Sequence, residues 1–183
     1  MRWLGEDGVA AITIVFYADF LFVAMFLGYT SGVAPLFSYN YGAQNHERLQ
    51  KLFRLSLLFI AVGSAAAYGA SLAFSGPVVG FFARRGTQVF DIALHGMLLY
   101  AISFLLKGVN IFASGLFTAL SNGKVSAFLS FLRTFGFLVL CIFVLPRIWG
   151  VNGIWLAIPV AEVLSLAVSI WCLVQFRKVY HYA

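Results

Sequence analysis

The sequence predicts an all-α membrane protein, a single polytopic bundle of about five transmembrane helices over residues 1–183. Hydrophobic residues make up 62% of the chain and charged residues only 10%, whereas a soluble domain carries about 25% charged residues. The mean hydropathy is +0.96. A soluble fold of this size cannot bury so much apolar surface, so membrane lipids must surround most of it.

Five apolar runs are long enough to cross a bilayer, because a spanning helix needs about 20 mostly apolar residues. The runs cover residues 8–37, 52–74, 92–120, 125–145 and 151–176. They lack the alternation of apolar and polar residues that a membrane barrel requires. An open sheet is excluded as well, since its unpaired backbone groups would find no partner in lipid. Helices are therefore the expected elements.

The segments between these runs carry turn and cap residues. Asn45 is a fair N-cap at the end of the polar loop 40–45. The Ser-Gly-Pro sequence at 75–77 is expected to end the second helix, which leaves the apolar stretch 78–82 as a short interfacial or re-entrant segment. Tight turns are expected at residues 121–123 and 146–153.

The net charge of +6 bears on orientation rather than on nucleic-acid binding, because the bases are few and lie mainly between apolar runs. One set of loops, with the C-terminal tail, carries Arg48, Lys51, Arg54, Lys124, Arg177 and Lys178. The opposite set carries Arg2, Arg84, Arg85 and Arg147. The more basic side faces the cytoplasm in membrane proteins. We therefore expect a multi-pass protein of the plasma (inner) membrane with a cytoplasmic C-terminus.

Four ionisable residues lie inside the apolar runs: Asp19, Lys107, Arg133 and Glu162. Asp19 and Glu162 each lie about 16 Å along their helices, near the middle of the bilayer. A charge exposed to lipid there costs at least about 2.5–3.5 kcal/mol. The residues are therefore candidates either for ion pairs that hold helices in register or for a cavity that responds to protons or sodium. The sequence leaves both interpretations open.

Small residues and a proline mark the first run. Gly28 and Gly32 form a GxxxG pair, which allows close approach of another helix. Pro35 lies near the end of the same run and is a candidate for a bend.

Sequence motifs of soluble enzymes, such as G-x-S-x-G, H-E-x-x-H or a phosphate loop, are absent. Cys141 and Cys172 lie within apolar runs, where a thiol is usually a small buried residue. We expect neither a catalytic residue nor a metal site, and no cofactor.

Six blocks of the sequence lie at residues 4–11, 28–35, 39–48, 117–124, 131–134 and 153–162. Together they resemble the multidrug and toxic compound extrusion (MATE) family of efflux transporters. Residues 4–11, 28–35 and 39–48 resemble the second helix of a lobe and the loop after it. Residues 117–124, 131–134 and 153–162 resemble the last three helices of the C-terminal lobe. The blocks at 35–48 and 153–162 are the most specific.

The resemblance implies helices eight to twelve of a twelve-helix antiporter that exchanges protons or sodium for organic, often cationic compounds. It also implies that the chain requires the N-terminal lobe and the seventh helix, and that it does not transport alone. The family's own cation site does not carry over, since Lys107 stands in the span where some members have an acid. Asp19 and Glu162 are candidates because of their depth in the membrane.

Three other functions remain open. A lipid-linked saccharide flippase of the same superfamily would carry bases for a pyrophosphate, and Lys107 and Arg133 are compatible with that role. A small membrane protein that binds a partner through its helix faces is a different class. A lipid-modifying enzyme comes last, since no acid-rich metal motif is present.

Overall fold

A computed structural model describes residues 5–183 of the chain, so residues 1–4 lie outside it, among them Arg2 and the first position of the block at 4–11. The described residues contain helices and no strand. The helices are α1 (Gly5–Gly42), α2 (His46–Phe82), α3 (Gln88–Tyr100), α4 (Phe104–Ala119), α5 (Gly123–Phe131) and α6 (Leu138–Tyr180). The predicted fold class, an all-α membrane helix bundle, is confirmed.

The first two helices are longer than the apolar runs at 8–37 and 52–74. With 38 residues, α1 is about 57 Å long, nearly twice the hydrocarbon core of a bilayer. It continues through Asn40, whose side chain donates to the Leu36 carbonyl at 2.8 Å. Only residues 43–45 separate α1 from α2, and Asn45 caps α2 as predicted by accepting from the Arg48 backbone N–H.

The expected end of the second helix at 75–77 is wrong. Pro77 lies inside α2, and the stretch 78–82 forms the last turns of the same helix rather than a separate interfacial segment. Proline is tolerated within membrane helices because neighbouring groups compensate for the backbone hydrogen bond that it removes. In the turn before Pro77, the Ser75 hydroxyl donates to the Leu72 carbonyl at 3.2 Å.

The third span is interrupted near its middle. Helices α3 and α4 are joined by a 3-10 turn at Ala101–Ser103, and together they form one apolar segment from Gln88 to Ala119. The predicted turn at 121–123 follows, with Asn122 capping α5 by accepting from the Val125 N–H at 3.2 Å.

The last apolar segment, Gly123–Tyr180, folds back on itself. Its 58 residues would extend about 87 Å as a straight helix, far more than one crossing requires. Gly150 has φ 56° and ψ −131°, which breaks the helix within the predicted turn at 146–153. Cys141 and Leu145 pack against Ala157 and Ala161, so the two arms lie side by side. The four long apolar segments thus contain five helical arms.

Helix α4 lies at the centre of the bundle and contacts α1, α2, α5 and α6. One apolar cluster surrounds Phe112 and Phe117 toward the end of α4 that leads to α5. A second surrounds Tyr100 and Trp155. Large apolar side chains such as Phe20 and Phe81 point outward, as expected of helices that lipid surrounds.

Among the described residues no helix packs against Gly28 and Gly32, and close packing at this pair stays a prediction. Both glycines lie on an exposed face of α1, and a Cβ at either position would meet nothing within 4 Å. The close approach uses glycines of α4 instead. A Cβ on Gly108 would lie 2.7 Å from Phe26 and Ile60, and one on Gly115 would overlap the side chain of Thr30.

Pro35 lies within α1 and does not interrupt it. The helix is continuous from Gly5 to Gly42, and the Pro35 side chain is exposed. A bend at this position stays a prediction.

Candidate functional site

The first ion pair of the site joins α1 to α4. The Lys107 ammonium donates to Asp19 Oδ1 and, at 2.8 Å, to the Tyr100 hydroxyl. The same ammonium lies 4.7 Å from the centre of the Tyr100 ring, within the range of a cation–π contact. The side chain of Lys107 is 5% exposed and that of Asp19 is 18% exposed. Lys107 is therefore almost wholly removed from solvent and depends on these partners.

The second ion pair joins the two arms of the last hairpin. Arg133 Nε donates to Glu162 Oε1 at 3.1 Å. The Asn110 side-chain amide donates to Glu162 Oε2 at 2.7 Å and to the Glu162 backbone carbonyl at 3.0 Å. The Glu162 side chain is 5% exposed. Both oxygens of this carboxylate are thus satisfied, which a buried charge requires.

Two irregular helical turns lie at these pairs. Arg133 belongs to a π-helical turn, Leu132–Phe137, between α5 and α6. Tyr100 lies directly before the 3-10 turn at Ala101–Ser103, and Lys107 follows one helical turn after it. Short π-helical segments inside longer helices occur frequently at functional sites. Both departures from regular helix thus occur where the chain carries its buried charges.

All four predicted charged residues border one cavity of about 290 Å³. Asp19 lines it from α1, Lys107 from α4, Arg133 from the π-helical turn and Glu162 from α6. Tyr100, Thr134 and several apolar side chains complete the wall. The four residues thus pair with one another and line a shared cavity, and the response of that cavity to protons or sodium stays a prediction. Gly28, Gly32 and Pro35 are not among its lining residues.

Tyr100 was not predicted as part of the site. Its hydroxyl lies at the first ion pair. An uncharged tyrosine within an apolar run does not stand out in the sequence as a candidate site residue. The signal available in the sequence was its spacing of seven residues from Lys107, which places two residues on one face of a helix. Asn110, three residues after Lys107, extends the same group toward Glu162.

Some uncharged polar residues in the spans make contacts between helices. The Tyr29 hydroxyl donates to Ser56 at 3.0 Å, joining α1 to α2. The Ser114 hydroxyl lies 3.1 Å from Ser126 and 2.6 Å from Ser130, joining α4 to α5. These hydroxyl contacts lie apart from the charged cavity.

Comparisons with known proteins decide the family. The MatE family model matches residues 1–144, which is most of the chain. The chain belongs to the MATE family. The resemblance seen in the sequence is thereby confirmed, and so is the placement among membrane transporters.

Solved MATE structures share the fold of this chain. The bent form of the Vibrio cholerae MATE transporter VcmN superposes with a TM-score of 0.88 at 18% identity, over 98% of this chain and 41% of VcmN. The MATE multidrug transporter DinF-BH has a TM-score of 0.79 at 29% identity, over 88% of this chain and 36% of DinF-BH. This MATE chain thus spans about two fifths of the length of the transporters that it matches.

A curated relative matches over a shorter stretch. The probable multidrug resistance protein YoeA of Bacillus subtilis (strain 168) is 41% identical over 58 residues, which are 32% of this chain and 12% of YoeA.

Proposed function

We propose that this chain is part of a secondary active multidrug antiporter, in which entry of protons or sodium drives export of organic, often cationic compounds. The observation that carries the proposal is the cavity at which Asp19, Lys107, Arg133 and Glu162 meet. Membership of the MATE family and the similarity to named multidrug proteins supply the class of reaction.

The arrangement suits ion coupling because each pair joins separate helical elements. Lys107 and Asp19 link α4 to α1, and Arg133 and Glu162 link the π-helical turn to the second arm of α6. A cation that binds a carboxylate competes with the base paired to it, so binding weakens the link between the two elements. A ligand shifts a conformational equilibrium through such differences in affinity between states. The cavity thereby connects ion binding to helix movement.

The whole transporter requires more than these helices. The chain spans 41% of the length of VcmN, and alternating access in repeat-built transporters moves one half of the molecule against the other. The N-terminal lobe and the seventh helix are therefore the expected partners of this chain. We place the assembled protein in the plasma (inner) membrane with the C-terminus of this chain in the cytoplasm, because of its basic loops.

A flippase for lipid-linked saccharides is less well supported. Binding a pyrophosphate requires cations that are free to face it. Lys107 and Arg133 each face a carboxylate within the bundle instead. With all four groups ionised, the cavity carries no net charge to attract an anion.

The proposal is tested by expressing the full-length coding region in bacteria whose own drug pumps are deleted. Cells are loaded with ethidium, a fluorescent organic cation, and its efflux is followed after energisation. We expect efflux that stops when a protonophore or sodium removal abolishes the driving gradient. The variants D19N and E162Q are expected to lose most of it.

The matched control is E47Q, which neutralises an exposed acid in the first turn of α2. Its efflux is expected to equal that of the wild type. Wild-type efflux in both D19N and E162Q would contradict the role of the cavity. The 183-residue chain expressed alone is expected to give no efflux, and measured efflux from it would contradict the need for the other lobe.

A further inference from the structure

The charges around the cavity balance. The groups that face it are Asp19 from α1, Tyr100 and Lys107 from the α3–α4 segment, Arg133 from the π-helical turn and Glu162 from α6. Two carboxylates therefore meet one ammonium and one guanidinium group, and tyrosine is neutral at physiological pH. The charged side chains at the cavity therefore neutralise one another before any ion from solution is bound.

The Lys107 ammonium occupies a position that suits a small cation. It is held by an Asp19 carboxylate oxygen, by the Tyr100 hydroxyl oxygen and by the face of the Tyr100 ring. Carboxylate and other oxygen atoms are also the ligands that hard metal cations take. The ammonium is attached to a helix at the centre of the bundle, so it cannot diffuse away as a free ion does.

We propose that Lys107 is a tethered counter-cation that holds the place of a coupling sodium ion, so that this cluster responds to protons and excludes sodium. This deepens the proposed function and rests on it, since it names the coupling ion of the same cavity. A sodium ion would need the oxygen ligands that Lys107 already uses. Displacing the ammonium is unfavourable because Lys107 is 4% exposed and its charge would stay buried without a partner.

A proton can bind at Asp19 without displacing the Lys107 ammonium. It binds directly to a carboxylate oxygen of Asp19 and needs neither a coordination shell nor empty volume. The ammonium then keeps the hydroxyl and the ring of Tyr100 as partners. The protonated cluster carries one net positive charge, which disfavours an organic cation in the same cavity. Proton and cationic substrate therefore exclude each other, which is the reciprocal coupling that antiport requires.

A purely structural role for Lys107 makes a different prediction. If the ion pair with Asp19 only fixes α1 against α4, then removing the lysine destabilises the protein in any salt. If Lys107 replaces a coupling cation, then removing it creates a sodium site whose occupation restores stability. Binding to the native state alone raises stability by mass action, so the two roles separate in a sodium titration.

The experiment measures binding of radioactive sodium to the purified full-length protein in lipid nanodiscs at alkaline pH. The compared proteins are the wild type, D19N, K107A, the double variant D19N/K107A and the control K124A, which removes an exposed lysine from the first turn of α5. We expect K107A to bind one more sodium ion per chain than the other four. Sodium, but not choline, is expected to raise the unfolding temperature of K107A.

Two results would overturn the proposal. The first is sodium binding in the wild type that D19N removes, because an occupied site would then coexist with Lys107. The second is a folded K107A protein that binds no more sodium than D19N/K107A. If K107A does not fold, sodium binding to the wild type and to D19N still tests the proposal. Equal binding by these two proteins agrees with the proposal, and binding that D19N removes contradicts it. These measurements need no transport, so a failure of the proposed efflux function is recognised separately.

Discussion

Arg133 donates from its Nε to Glu162 Oε1 at 3.1 Å and thereby connects the two arms of the helical hairpin that ends the chain. The residues are 29 positions apart in sequence and are brought together by the break at Gly150. Glu162 also accepts from Asn110 of α4. One carboxylate thus holds the π-helical turn, the second arm of α6 and the central helix together.

The bond between Arg133 and Glu162 is expected to stabilise the bundle. Removing one partner leaves the other unpaired, so E162Q and R133Q should each lower the free energy of unfolding by about 1–3 kcal/mol. The double variant should lose less than the sum, with a coupling of about 0.5–3 kcal/mol. Helicity during denaturation with sodium dodecyl sulfate in mixed micelles measures these changes. Additive losses would show that the two side chains do not interact.

The glycines of α4 and of α1 are expected to respond oppositely to alanine. G115A forces a methyl group into Thr30, and overpacking of this kind costs about 1–3 kcal/mol. G28A and G32A place the methyl group in open space and should leave the unfolding temperature unchanged. The double variant T30A/G115A should recover part of the loss. Equal destabilisation by G28A and G115A would contradict this packing arrangement.

Tyr182 is expected to make stability depend on pH at the alkaline end. Its side chain is fully buried after the end of α6, and its hydroxyl donates to the Leu173 carbonyl at 2.7 Å. Burial raises the pKa of the Tyr182 phenol above its ordinary value of 10.0. A raised pKa means that the folded state favours the neutral phenol, so its contribution is complete below pH 10.0 and is lost as the pH rises further.

The unfolding temperature as a function of pH tests this contribution, with Y182F as the comparison. Y182F keeps the ring, which packs against Phe53, and loses one hydrogen bond worth about 0.5–1.5 kcal/mol. The difference between wild type and Y182F should therefore shrink above pH 10.0. A constant difference across the alkaline range would show that Tyr182 ionises as easily in the folded protein as in the unfolded one.

The sequence was sufficient to predict the fold class and to identify the four charged residues within the spans. The length of an apolar run is enough to identify a spanning helix. Counting residues along the helix places Asp19 and Glu162 near the middle of the bilayer. The desolvation penalty then predicts that such charges find partners. The penalty does not determine which residues become partners. Asp19 and Lys107 are 88 residues apart, and their pairing depends on how the helices rotate and pack.

Local rules failed where tertiary contacts override them. Pro77 and Gly76 resemble a helix end, yet α2 continues because the surrounding bundle supports it. Gly28 and Gly32 match a packing motif that does not say which helix they meet, and the face that α1 turns toward α4 contains Thr30. The π-helical turn around Arg133 has no signature in the sequence that distinguishes it from regular helix.

The role of the charged cavity is tested most directly in proteoliposomes that contain the full-length protein and an imposed pH gradient. Ethidium accumulation is followed for the wild type, D19N, E162Q and the control E47Q, and equilibrium binding of ethidium is measured on the same preparations. We predict gradient-driven accumulation by the wild type and E47Q, and its loss in D19N and E162Q, which should also bind ethidium more weakly because their cavity carries one net positive charge. Accumulation at the wild-type rate in both D19N and E162Q would contradict the assignment of ion coupling to this cavity.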